Sequence, residues 1–431
     1  MFLLVSLGAG LASAQSFTSF EFSFSNPGAR SMGFGGAFVA LADDATAAFA
    51  NPAGLVQIVE PEISLEGRSW RYRTPFTRGG RAAGEPTGLG IDTVAAPLRG
   101  ESGNDLTGLS FLSYVHPHRR WSFAIFQHQL ANFAFSLETQ GVFLPGPGPL
   151  GTVRSDAARG AIELEILTRG VAVAFRPTDS MSFGLGLTYF EPDTRLAGRD
   201  YLLDDDSVEA FFSLASFLPE RLVQTVEFRW DQPAWGLSAG FLWRPSELWT
   251  VGGVYRETPE LSLVIDLTAG PAHPSFPPGF KFIDGFRSSW DFPDVYALGV
   301  GYRSRDGRWT GAGEWRRVGY SSIVDSLLPQ QREGGLFLDD ADEIHLGAEY
   351  AFFAGSSVVA VRMGVWHDPD HYLDIRDDDP ELRALFPPGE DELHLAGGLG
   401  AAFRRFQIDF GIDLSERIDT ASLSVIYSFG G

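Results

Sequence analysis

The chain has 431 residues, 33 Lys+Arg against 55 Asp+Glu, and a formal net charge of −22 at pH 7. It has no cysteine, which excludes disulfides, thiolate metal sites and a cysteine nucleophile. Its acidity, with a pI of about 4.7, argues against nucleic-acid binding, which needs a basic face. Fifty Gly and 36 Phe accompany no apolar run long enough for a spanning helix, a combination that suits a β-barrel crossing a membrane by strands.

At the start, Phe2–Leu7 is apolar and Ala12-Ser13-Ala14 fits a leader cleavage pattern, although the usual positive residues are missing. Residues 1–14 are therefore expected to be a signal peptide, with Gln15 as the mature start. Residues 15–60 do not read as strand. Asp43 and Asp44 can cap a short helix through Phe49, and Asn51-Pro52 ends it, because proline disfavours helical geometry in the residue before it. A compact, small-residue segment ahead of a barrel is expected to be a plug inside the lumen, with the barrel occupying 61–431.

From Glu62 onward, apolar residues alternate with small or polar ones. Met181-Ser182-Phe183-Gly184-Leu185-Gly186-Leu187 and Phe406-Gln407-Ile408-Asp409-Phe410 are examples. The pattern predicts about fourteen strands, near 62–73, 107–116, 121–137, 162–176, 181–191, 224–244, 248–257, 294–303, 309–320, 343–353, 358–367, 392–403, 406–414 and 422–429. Short turns such as Pro117-His118-Arg119 and Arg404-Arg405 alternate with long segments such as 192–223 and 258–293. An even strand count, with short turns on one side and long loops on the other, is the outer-membrane pattern. The predicted fold class is all-β, a transmembrane antiparallel barrel with its N-terminal plug in the lumen. Trp243, Trp249, Trp309 and Trp315 fall near strand ends, where aromatic girdles sit.

The third strand is irregular. Trp121, Phe123 and Ile125 form a lipid-facing row that Gln127 and Gln129 continue before Phe133 and Phe135 resume it. Either the wall is opened near Gln127, His128, Gln129 and Asn132, or the register shifts and both Gln point inward. The outer segments 210–218 and 261–265, with Phe211, Phe212, Phe217, Leu263 and Ile265, are apolar enough to capture a ligand or to close the barrel top on themselves. Alternation points Arg316 and Arg362 inward together with Glu314, Glu349, Asp409 and Asp413. They are expected either to bind a carboxylate or to sit in an internal ion-pair network. Asp204–Asp206 and Asp377–Asp379 read as solvated loops or as calcium ligands. Gly236-Leu237-Ser238-Ala239-Gly240 matches a nucleophile-elbow pattern but lies in an alternating strand, not in a strand-turn-helix. No phosphate loop, zinc-protease motif or dinucleotide fingerprint occurs, so neither catalysis nor a cofactor is expected.

The segment GARSMGFGGAFVALADDATAAFANPAGL (28–55) resembles the hatch of the FadL/TodX class of outer-membrane transporters for long-chain fatty acids and aromatic hydrocarbons, with Asn51-Pro52-Ala53 at the hatch motif. The turns after Phe175 and Leu242 and the Pro293-Asp294-Val295 strand opening are similar too. The resemblance implies a fourteen-stranded barrel in a Gram-negative outer membrane. It implies capture of fatty acids or hydrocarbons at the loops, binding in the lumen, and hatch-controlled release through a kink in the third strand. Asn51 and Pro52 are then expected to rest against Gln127–Asn132. The final strand, Leu423 to Phe429, looks like the signal read by barrel-assembly machinery. Outer-membrane lipids are the remaining expected partners. A branch with the same hatch resembles non-transporting scaffold subunits of a secretion system, and the hatch motif alone does not separate the two.

Overall fold

The computed structural model describes residues 24–203, 207–327, 336–375 and 389–429. The expected leader and both aspartate runs lie outside them. Seventeen hydrogen-bonded segments form one antiparallel sheet, and three wall strands are each split at a proline, which leaves fourteen. In chain order they are β1 (Glu62–Gly80), β2 (Pro97–His118), β3 (Trp121–Thr139), β4 (Ala157–Thr178) and β5 (Met181–Tyr201). The split strands are β6 (Leu222–Gln232 with Ala234–Trp243), β7 (Trp249–Arg256 with Glu260–Ala269) and β8 (Lys281–Asp291 with Val295–Arg303). The rest are β9 (Trp309–Val318), β10 (Ala341–Ala354), β11 (Ser357–Asp368), β12 (Glu392–Phe403), β13 (Phe406–Leu414) and β14 (Ile418–Ser428). β14 pairs with β1 from Tyr72↔Ile418 to Glu62↔Ser428, so the sheet closes on itself. Pro233, Pro259 and Pro293 mark the splits because proline has no N–H to give the ladder.

Met181, Phe183, Leu185 and Leu187 face outward on β5, and equivalent apolar rows run around the barrel. Aromatic pairs bound this band. Trp121–Phe175, Trp249–Tyr302 and Trp309–Tyr350 lie at the short-turn end, with centroids 4.4, 4.9 and 4.7 Å apart. Tyr189–Trp235 and Tyr255–Tyr296, both at 4.8 Å, lie at the other. An apolar band between two aromatic girdles is the lipid-facing surface of a membrane-spanning barrel.

Several strands run further outward than the alternation predicted, and 258–293 is largely strand, not loop. Past Tyr189 the outward residues of β5 become Glu191, Asp193 and Arg195. Above the bilayer that face meets water, so the apolar half of the period-2 signal vanishes while pairing with β4 continues to Ala157↔Tyr201.

Residues 24–58 fill the lumen with two short helices, α1 (Ala29–Gly33) and α2 (Ala47–Ala50), and a 3₁₀ turn over Pro52–Gln57. The helix at Ala47 is shorter than expected: Asp44 holds the Thr46 N–H (2.9 Å) and hydroxyl just before it. The wall carries glycine where this hatch touches it. A Cβ on Gly347 would lie 2.3 Å from the Phe34 carbonyl oxygen, one on Gly364 2.2 Å from the Gly35 nitrogen, and one on Gly184 2.3 Å from the Ala53 nitrogen. The glycines form an imprint of the hatch backbone, and they account for part of the glycine excess.

Candidate functional site

The lumen has two unlike sides. On β9 to β13 it is ionic. Glu314 accepts from the Phe38 and Val39 backbone N–H groups at 2.8 and 2.9 Å, and His345 Nδ1 lies 2.6 Å from the Gly35 carbonyl. Arg316 pairs with Glu314 and Glu343, and Arg362 with Glu349 and Asp409. Arg30 of the hatch joins Asp43 and Glu349, and Arg303 reaches Asp43 at 2.7 Å. Arg316 and Arg362 do point inward, yet their charges are consumed by the network that fastens the hatch. Paired guanidinium groups of this kind are not available to a ligand without breaking a buried pair, at a cost of about 3–5 kcal/mol.

On β1 to β4 the lumen is aromatic. Trp70, Tyr72, Phe76, Phe111, Phe126, Phe133 and Phe135 belong to one buried cluster. β3 is bulged between Gln129 and Ala131, and one extra residue inverts every later side chain. Phe133 and Phe135 therefore face the lumen, against the expected lipid row, and pack on Tyr72 (5.2 Å) and Phe76 (6.1 Å). Gln127 stays on the outer face, half-buried, and Gln129 is buried with its Nε2 donating to Glu165 at 2.6 Å. His128 points inward between Phe49 (4.4 Å) and Phe111 (5.9 Å), its Nδ1 without a partner. The Asn132 carbonyl accepts from the Tyr72 hydroxyl at 2.7 Å.

The bulge coincides with a break in the wall. The β2–β3 ladder ends at Phe111↔His128, while β3 stays paired with β4 to Thr139↔Ala158. Beyond the break the Gln129 side chain lies where a Cβ on Gly108 would be, 2.5 Å from its Oε1. Side chains, not backbone hydrogen bonds, fill this part of the wall.

Asn51 and Pro52 sit elsewhere. Asn51 Nδ2 donates to the Val39 carbonyl (2.8 Å) and to the Phe241 carbonyl of β6 (3.2 Å), and its Oδ1 accepts from the Ala53 N–H (3.1 Å). Ser182 of β5 donates to the Ala53 carbonyl at 2.9 Å. The hatch motif thus docks on β5 and β6, not on Gln127–Asn132. Against β3 the hatch places the Phe49 ring, on Phe126 and His128.

Behind the bulge lies a cavity lined by Phe24, Phe49, Phe126, Leu130, Phe190 and Arg256. Arg256, buried on β7, stands over the Phe49 ring at 4.8 Å and donates from Nη2 to Asn26 Oδ1 at 3.3 Å. It makes no ion pair among the described residues, and its Nε has no partner. The other buried arginine without a carboxylate, Arg154, spends its donors on the Gln140, Phe211 and Ser213 carbonyls. Sequence reasoning missed Arg256 because inward-facing arginines look alike until their carboxylates are placed.

The outer residues expected to capture ligand are mostly packed. Phe212 stacks on Phe143 (5.6 Å), Phe211 packs against both, Phe217 packs on Tyr201 (5.2 Å), and Leu263 is buried, with Ile265 half-buried, on the outer part of β7. Exposed outer aromatics include Phe286 and the pair Phe276 and Phe280, stacked at 4.7 Å. Gly236–Gly240 lies within β6, so Ser238 is an ordinary strand residue. Among the described residues no group of His, Asp or Glu is arranged to hold a metal ion.

No family model and no curated protein matches the chain. Solved structures do. The toluene transporter TbuX of Ralstonia pickettii is 16% identical, with a TM-score of 0.57 over 95% of this chain and 100% of that one. The toluene transporter TodX of P. putida is 13% identical with the same score and coverage. The monoaromatic hydrocarbon channel CymD is 17% identical, with a TM-score of 0.54 over 95% and 99%. At these identities the likeness establishes the fold, a hatch-plugged barrel of the FadL/TodX type.

Proposed function

We propose that this barrel carries apolar molecules bearing a carboxylate, such as long-chain fatty acids or aromatic acids, inward across a Gram-negative outer membrane. The observation that carries the reading is Arg256, a buried guanidinium with a free donor at the end of an aromatic cavity, where a carboxylate would complete its hydrogen bonds. Burial of the apolar remainder favours binding by about 25 cal/mol per Å². The structural neighbours named as toluene and monoaromatic hydrocarbon channels support an apolar cargo. The pair Phe276 and Phe280 offers the capture surface. Release runs past Phe49, a hatch side chain against β3, toward the β2–β3 break that begins beyond the paired Gln127 and His128, beside Gln129 and Asn132, and opens laterally into the bilayer.

Uptake by cells lacking their own fatty-acid porin tests this. Arg256→Met keeps the volume and removes the charge. It should slow uptake of a fatty or aromatic acid about tenfold or more, the value of a lost charged hydrogen bond of about 1.5–3 kcal/mol, and leave toluene uptake unchanged. Equal loss of both cargoes would reduce Arg256 to a structural role. Uptake of neither by the unaltered protein, given normal insertion, would return the scaffold reading.

A further inference from the structure

The chain is strongly acidic, yet its short-turn end is basic. Arg119 and Arg120 precede Trp121, Arg176 follows Phe175, and Arg244 follows Trp243. Arg303, Arg305 and Arg308 lie between Tyr302 and Trp309, and Arg404 with Arg405 separates Phe403 from Phe406. Five of the six short turns carry arginine, nine in all, and the sixth, Gly355-Ser356, carries none. The same turns hold only three carboxylates, Asp179, Glu247 and Asp306, and Asp306 is engaged by the Ser304 hydroxyl (2.6 Å) and the Arg308 N–H (3.2 Å).

Four of the nine guanidinium groups are free, while Arg303 pairs with Asp43, Arg120 donates to the Pro177 carbonyl, Arg244 to Gln57 and Arg308 to the Tyr350 hydroxyl. Arg119, Arg305, Arg404 and Arg405 are exposed, and they form no side-chain ion pair among the described residues. Neighbouring turns feel one another: burial lowers the Arg244 pKa, and the positive charges of Arg303 and Arg176 lower it further. Arg303 is answered by Asp43 of the hatch, but Arg119, Arg305, Arg404 and Arg405 have no acidic partner among the described residues and need anions from outside the chain. Their position identifies the source, because each cluster adjoins the aromatic pairs that mark the lower edge of the apolar band. Long basic side chains there reach the headgroup layer, and guanidinium matches a phosphodiester bidentately where ammonium does not.

We infer that the short-turn arginines form a ring that binds anionic phospholipid headgroups, phosphatidylglycerol or cardiolipin, of the inner leaflet. The inference does not depend on the cargo. A ring of bound phosphates would fix how deeply the barrel sits and hold lipid beneath the hatch.

Native mass spectrometry of the purified barrel, equilibrated with equal phosphatidylglycerol and phosphatidylethanolamine, reads the preference directly. The unaltered protein should retain phosphatidylglycerol preferentially. Each arginine removed should weaken its site about fivefold, the ratio expected for a basic residue at an anionic surface. The quadruple variant R119Q/R305Q/R404Q/R405Q should lose most of the preference, and R71Q/R159Q/R195Q/R199Q, on the outer extension, should keep it. If the quadruple variant does not insert, R404Q/R405Q alone reads the same shift at one turn. The inference is overturned if the unaltered protein shows no preference, or if the ring and outer variants behave alike. Arginine-dependent binding of an acidic periplasmic protein without lipid preference would also overturn it.

Discussion

Replacing Asn51 by alanine should release the hatch. The side chain is fully buried, and it satisfies the Val39 carbonyl and the Ala53 N–H inside the hatch and the Phe241 carbonyl on the wall. Alanine fills none of these roles and leaves at least two buried groups orphaned. Each orphan costs about 1–3 kcal/mol, not fully additively, so docking of the hatch weakens by about 2–4 kcal/mol. That corresponds to about a 30- to 1,000-fold larger population of opened hatch. Since the chain has no cysteine, Ala48→Cys, at a site 1% exposed, supplies a single thiol that a maleimide reaches only when the hatch opens. Its labelling rate should rise by that factor when Asn51→Ala is added, with the barrel still folded by heat-modifiable migration. Equal rates with and without Asn51→Ala would refute the claim that this side chain fastens the hatch.

Gly364→Val should destabilise the same contact by about 1–3 kcal/mol, because its Cβ meets the hatch backbone at Phe34 and Gly35, and thiol labelling reports it. Gly108→Trp should fill the β2–β3 break where Gln129 now lies, lowering uptake at least severalfold without changing Ala48→Cys labelling; unchanged uptake would place the exit elsewhere. Burial, and then the charge of Asp200, push the Asp156 carboxyl up to about 6. A raised carboxyl contributes its stability fully below the unfolded value near 4 and loses it as pH rises through 6. The outer cap should therefore loosen across that window, by about 3 kcal/mol at most, and Asp156→Asn should abolish the pH dependence of its hydrogen exchange.

The membrane-spanning half of each strand is legible because lipid enforces one apolar face, and Met181 to Leu187 or Phe406 to Phe410 cannot be read otherwise. The outer extensions are not, since Glu191, Asp193 and Arg195 face water and remove the contrast that alternation relies on. The β3 bulge is marked only by Gln127 and Gln129 on an apolar row, which flags an irregularity without locating the extra residue, so a count of two carried Phe133 and Phe135 to the wrong face. The hatch segment announced itself by composition, but its docking did not. Asn51 meets β6, far along the chain, and only closure of the sheet brings Phe241 to it. The same holds for Arg256. Whether an arginine is neutralised is a property of strand neighbours, and on β9 to β13 those neighbours are carboxylates while beside Arg256 they are Val295 and Ser238.

The glycine imprint constrains how the molecule can be assembled. Where Gly347, Gly364 and Gly184 face the hatch, wall and hatch backbones lie too close for one to be threaded past the other after closure. An empty barrel would also enclose Glu314 and Arg316 without the hatch N–H and carbonyl groups they now hold. The hatch precedes the wall in the chain, and the β14–β1 pairing joins the two ends of that wall. The inner segment thus acts as a former around which the sheet is wound, and a chain that lost it would yield a differently shaped, glycine-weakened cylinder instead of the same barrel with an open bore.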